Sequence, residues 1–89
     1  MITRKLDIIN EKGLHARASA KFVECVEQFD AGAMVSKDGM DASGDSIMGL
    51  LMLGAARGTS IEVETKGVQA EELMNALTAL VSDYFGEGM

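Results

Sequence analysis

The chain has 89 residues and contains one cysteine, one histidine, no tryptophan and no proline. A single cysteine, Cys25, cannot close an internal disulfide, which suits a reducing compartment. One histidine and one cysteine give no ligand cluster, so no metal site is expected, and no cofactor is implied. Cationic side chains are in the minority: 8 Lys and Arg stand against 14 Asp and Glu, a net charge of -6. Phosphate backbones and anionic lipids select surfaces rich in Lys and Arg, so neither nucleic acid nor a membrane surface is an expected partner. No apolar run approaches the roughly 18 residues of a membrane span. The start, Met1 to Ile9, reads as too short and too charged for a signal peptide. A cytoplasmic protein is therefore expected. A chain this short should form a single domain over residues 1–89 and bury only about 60% of its unfolded surface. That permits a two-layer core but no deep cleft, and other proteins are better partner candidates than small molecules.

Periodicity supplies the elements. Ile2 to Ile8 alternates, with Leu6 and Ile8 on one face, and predicts a strand. Asn10 to Gly13 breaks that pattern. From Ala16 to about Gln28 the spacing is helical, with Ser19, Phe22, Val23, Val26 and Phe29 in one stripe. Ala33 to Lys37 predicts a strand, and Asp38-Gly39 a hairpin turn into a short third strand near Met40 to Ala42. Ile47 to Leu53 predicts a short apolar helix closed by Gly54, and Ser60 to Thr65 a strand with Ile61, Val63 and Thr65 facing one way. Ala70 to Phe85 predicts the last helix, with Leu73, Leu77, Leu80 and Tyr84 at helical spacing, and Gly86 to Met89 a frayed tail. Met34, Met40 and Met74 read as core filler. The order β-α-β-β-α-β-α predicts an α+β fold with helices on one face of an antiparallel sheet.

Gly13-Leu14-His15-Ala16-Arg17 sets the only histidine where a loop becomes a helix. The first turn of a helix carries unpaired N–H groups and a partial positive charge, which together attract anions, phosphate included. Arg17 adds a charged fork suited to phosphoryl oxygens. Phosphoryl transfer needs mainly positioning and charge stabilisation, so an imidazole nitrogen, helix N–H donors and one arginine would suffice. The residues alone leave a second reading open, in which His15 is an ordinary polar residue near a cap and Arg17 is merely solvated.

This segment resembles the phosphorylation-site motif of the HPr family, the histidine-containing phosphocarriers of the phosphoenolpyruvate-dependent phosphotransferase system. The resemblance spans nearly the whole chain and includes Phe22-Val23, Ser46-Ile47-Met48, Gly54, Gly58 and Ile61-Glu62-Val63. It implies an open-faced sandwich, a four-stranded antiparallel sheet covered on one face by three helices. It implies that His15 takes a phosphoryl group on Nδ1 from enzyme I and passes it to enzyme IIA proteins, with Ala16 and Arg17 supplying donors. Such a protein is a carrier rather than an enzyme, and a monomer. Docking of both partners would use Ala16, Arg17, Ala20, Ile47, Met48 and Leu51, with Glu24 and Glu27 flanking that face beside Ala20.

Three departures from the best-known members stand out. Ala18 replaces a proline, which fixes the first helical turn less tightly. Glu24 and Glu27 stand where sugar-transport members carry lysines on the partner-facing side of the first helix. Gly49 to Leu53 make the short helix unusually apolar, which brings the chain closer to the nitrogen-branch carriers. Ser46 can cap that helix. In the family this position is also phosphorylated by an HPr kinase/phosphorylase, so a rival reading is a regulatory binding module of this fold controlled at Ser46.

Overall fold

Period-two alternation builds a sheet because each strand turns one row of side chains toward the helices and the other toward water. In the computed structural model, which describes residues 1–87, the elements are β1 (Ile2–Asp7), α1 (Ala16–Glu27), β2 (Gly32–Lys37), β3 (Met40–Ser43), α2 (Ile47–Met52), β4 (Ser60–Lys66) and α3 (Ala70–Ser82). A 3-10 turn, Tyr84–Gly86, follows α3. The four strands form one antiparallel sheet in the order β1-β4-β2-β3. Arg4 pairs with Val63, Val63 with Val35 and Val35 with Ala42, a row on the helix-covered face. The next row, Lys5, Glu62, Ser36 and Asp41, lies on the open face. This is the expected open-faced sandwich.

The core sits between that sheet and the helices. α1 contributes Ala18, Ser19, Phe22, Val23 and Val26, and α3 contributes Ala70, Leu73, Met74, Leu77 and Val81. α2 buries only Leu50. Full burial of a side chain such as Phe22 or Leu73 is worth about 1.5–3 kcal/mol, so among the helices α1 and α3 supply most of the packing energy. β1 stops at Asp7, but Ile8 is still buried, and its N–H donates to the Thr59 carbonyl at 2.8 Å.

Two expectations fail. Met34 and Met40 are not core filler: they are 43% and 45% exposed. Met34 alternates with buried Val35 and so belongs to the open face, and Met40 opens an edge strand beside the hairpin turn. Met74 is fully buried, as expected.

The chain end differs more. α3 closes at Ser82, where the spacing predicts helix to Phe85. Tyr84, Phe85 and Gly86 then take left-handed φ values of 56°, 53° and 77°. The reversal leaves Tyr84 exposed and inserts Phe85, fully buried, into the core. Lys21 of α1 holds the turn by donating from Nζ to the Phe85 carbonyl at 2.7 Å. Gly86 is exposed but donates its N–H to the Asp83 carbonyl at 2.8 Å, and Glu87 is half-buried, so neither is frayed, while Gly88 and Met89 lie outside the described residues. Truncation at Phe85 tests this. Phe85→Ala should lower the unfolding free energy by about 3–5 kcal/mol, as for a core phenylalanine. A tail position would show less than about 0.5 kcal/mol in the same denaturant titration.

Candidate functional site

The site is built on the backbone between β1 and α1. Gly13 adopts φ +66°, and a Cβ there would stand 2.5 Å from the Ala55 carbonyl oxygen and 2.9 Å from Ala56 Cα. Only glycine lets the loop lie this close to the segment after α2. The next residue, Leu14, is buried and its N–H donates to the Ala55 carbonyl at 2.8 Å. Pinned on both sides, the chain presents His15 as the N-cap of α1, with extended φ and ψ of -80° and -174°.

The two ring nitrogens of His15 have different partners. Nδ1 accepts from the Arg17 backbone N–H at 3.3 Å, which is a side-chain cap of the helix. Nε2 meets the carboxylate of Glu87. With Nδ1 an acceptor, the proton of the neutral ring is on Nε2, and it donates to Glu87. The free electron pair of Nδ1 thus points at the N-terminus of α1, where an anion is best held.

Glu87 has a second partner. Asn10 Nδ2 donates to its other carboxylate oxygen at 3.0 Å and to the Gly13 carbonyl at 2.8 Å. Partial burial pushes the Glu87 carboxyl up, but hydrogen bonds from Asn10 and His15, with electrostatic attraction from the neighbouring His15 and Lys12 side chains, outweigh it and hold the group below the usual glutamate range. Around His15 opens a hollow of about 520 Å³ lined by Glu11, Lys12, Ala16, Arg17, Lys21 and Glu87 among others. Three of these are cations, so the surroundings of His15 are far less acidic than the chain as a whole.

His15, Ala16 and Arg17 therefore come together as the sequence predicts, with Ala16 and Arg17 exposed. Ser46 is the N-cap of α2 and accepts from the Gly49 N–H at 3.1 Å, so its capping role holds. Ile47 and Met48 are exposed and Leu51 is half-buried. Ala20 and Glu27 share a stripe of α1 with Ala16, since positions 16, 20, 23 and 27 lie on one helical face. Glu24 follows Ala20 by one helical turn and borders that stripe, and it also lines a shallow hollow between α1 and α3 with Lys21 and Cys25. Cys25 is half-buried on α1, and burial pushes its thiol up, away from the reactive range. Among the described residues no group of three possible ligands could hold a metal.

Asn10 and Glu87 escaped the sequence reading. Asn10 was one polar residue in a polar loop, and Glu87 fell in the supposed tail. A polar residue that ends up fully buried leaves no trace in hydropathy.

Residues 2–83 match the family model described as the PTS HPr component phosphorylation site. The chain is 51% identical over 88 residues to the phosphocarrier protein HPr of Neisseria meningitidis, covering 99% of both. It is 39% identical to the phosphocarrier protein NPr of Escherichia coli, covering 97% of both. Among solved structures, HPr-C-His of Thermoanaerobacter tengcongensis superposes with a TM-score of 0.94 at 35% identity over the full length of both chains. The chain belongs to the HPr family. The family match ends before Glu87, so the carboxylate on the histidine ring lies beyond the matched segment.

The glycine that sets this geometry can be tested against one that does not. Gly13→Ala combines a left-handed φ with overlap onto Ala55, whereas Gly39→Ala meets a φ of +81° but no neighbour within 4 Å. Gly39→Ala should cost about 1–2 kcal/mol of stability. Gly13→Ala should exceed about 3 kcal/mol in the same denaturation measurement, because backbone cannot move aside as a side-chain tip can.

Proposed function

We propose that this HPr-family chain is a phosphocarrier that takes a phosphoryl group on Nδ1 of His15 from enzyme I and passes it to enzyme IIA proteins, in a regulatory, nitrogen-type phosphotransferase system of the cytoplasm. The observation that carries the reading is the N-cap position of His15, with Nδ1 turned toward the Arg17 N–H. As the phosphoryl arrives, the Nδ1 lone pair forms the new N–P bond while the donor's bond to phosphorus breaks and its electron pair stays with the donor nitrogen. The phosphoryl oxygens then take over the helix N–H groups, and the Arg17 guanidinium adds charge. Ala16, Arg17, Ala20, Ile47, Met48 and Leu51 would form the docking face. The exposed Ile47 and Met48 favour this, because methionine-rich surfaces adapt to more than one partner. Ser46 would be a second, regulatory phosphorylation site for an HPr kinase/phosphorylase. A phosphate on its oxygen would stay at the start of α2 and add negative charge to the same face.

The first test is intact-mass measurement after incubation with phosphoenolpyruvate and enzyme I from the same organism. The wild type should gain one acid-labile phosphoryl group, and His15→Ala should gain none while keeping its circular dichroism spectrum. Labelling of the variant at an acid-labile site would refute the assignment.

The nitrogen-type reading rests on Glu24 and Glu27, both exposed on α1. If the acceptors of sugar carriers present acidic surfaces to this helix, each glutamate repels them, and salt weakens the effect. The wild type should exchange phosphoryl poorly with a glucose-type enzyme IIA and well with a nitrogen-branch one. Glu24→Lys combined with Glu27→Lys should speed the poor pairing mainly through association rate. Equal wild-type rates with both acceptors would refute the nitrogen-type assignment and leave the carrier reading intact.

A further inference from the structure

Asn10 is the anomaly of the site. Its side chain is fully buried, yet among the described residues its Oδ1 has no hydrogen-bond partner. A buried acceptor left unpaired is costly, and it calls for an explanation. The orientation of the amide is not ambiguous. Nδ2 faces two acceptors, the Gly13 carbonyl and a Glu87 carboxylate oxygen, and a flipped amide would set oxygen against oxygen at both. Asn10 therefore spends its donors where the histidine loop and the chain end meet, and leaves its acceptor unused.

The residue it holds is equally unusual. Glu87 arrives at His15 from 72 positions away in the chain, after the left-handed turn at Tyr84–Gly86. Gly86 takes φ +77° on that path, a left-handed value that glycine adopts without the strain a Cβ would bring. One Glu87 oxygen receives Asn10 and the other receives His15 Nε2. The carboxylate is thus gripped at both ends and cannot swing away without losing a bond.

We propose that Asn10 and Glu87 are positioning residues for phosphoryl transfer: Asn10 holds the Glu87 carboxylate, and Glu87 keeps the proton on His15 Nε2 so that the lone pair stays on Nδ1. The proposal rests on the phosphocarrier reading and extends it to the far side of the ring. When Nδ1 forms its bond to phosphorus, the ring retains the Nε2 proton and becomes cationic, and Glu87 faces that new charge at hydrogen-bond distance. When the phosphoryl leaves, the N–P electron pair returns to Nδ1 and the ring is neutral again, with its proton where it began. Glu87 touches neither phosphorus nor its oxygens; it acts through the imidazole, as the third member of a nucleophile–base–orienter chain acts through the second.

The test compares Glu87→Ala, Asn10→Ala and the double variant. Two measurements are made: the rate of phosphoryl uptake from enzyme I, and the proton spectrum of His15 Nε2 in the unphosphorylated protein. The wild type should show a slowly exchanging, downfield Nε2 proton, and both single variants should lose it. Each should slow uptake about tenfold, the scale of one lost charge-assisted contact. Because Asn10 acts through Glu87, the double variant should be no slower than Glu87→Ala alone. Full additivity would overturn the role of Asn10. A wild-type rate or a retained Nε2 proton in Glu87→Ala would overturn the whole proposal. Glu87 is near the end of the chain and its loss should leave the fold intact, so that variant decides even if Asn10→Ala does not fold. The Nε2 spectrum needs no partner protein. A wild type that takes no phosphoryl from enzyme I would refute the carrier reading and leave the ring geometry to be judged on the spectrum.

Discussion

The site depends on one close approach of backbone to backbone, that of Gly13 to Ala55 and Ala56. Because no Cβ intervenes, the loop lies flat against the segment that follows α2, and the Leu14 N–H reaches the Ala55 carbonyl. From this contact the rest follows in order. Leu14 enters the core, His15 is left at the N-cap, and α1 starts with its unpaired N–H groups beside the ring. The buried Ser19 hydroxyl donates back to the Leu14 carbonyl at 3.3 Å, so the first turn of the helix is tied to the same loop. A reactive side chain needs this rigidity, because phosphoryl transfer draws its rate from placement more than from acid–base chemistry.

Charge is arranged on two scales. The whole chain is acidic, with a net charge of -6, yet Lys12, Arg17 and Lys21 gather at the hollow beside His15. An acidic chain thus coexists with a local cluster of cations suited to an anion. The apolar side chains of α2 complement it. α2 has six residues and buries one, so Ile47, Met48 and Met52 are left facing water. A face of this kind is costly on an isolated protein and useful on one that must be recognised by several others.

The C-terminal turn shows how a locally unfavourable conformation is kept. Left-handed φ at Tyr84 and Phe85 costs about 1–2 kcal/mol for each residue. Burial of the Phe85 ring is worth about 1.5–3 kcal/mol, and the hydrogen bond from Lys21 about 1 kcal/mol more. The opposing terms nearly cancel, so the turn exists only because the core takes in the ring and α1 offers the amine. Glu87 reaches the histidine as a consequence of that packing.

Much of the fold was legible in the sequence, because its signals act over a few residues. Alternation in Ser60 to Thr65 and the helical stripe from Ser19 to Val26 are consequences of backbone period, and both were read at the correct faces. The motif around His15 was also local: a glycine that can turn, a histidine at a cap and an arginine two residues on. Met34 was misplaced because a strand's period says that side chains alternate, not which row the helices will cover; Met40 shares the row of buried Ala42 and is exposed because it stands at the start of an edge strand. Tyr84 and Phe85 were misread because helical spacing continues through them, and only packing into the core selects Phe85. Asn10 and Glu87 stayed hidden for the same reason. The sequence by itself determined the elements, their order and the position of the histidine at a helix start, since each depends on neighbours within a turn or a strand. Only the tertiary structure decided what Nε2 of His15 meets, since His15 and Glu87 are 72 residues apart and come together through packing alone.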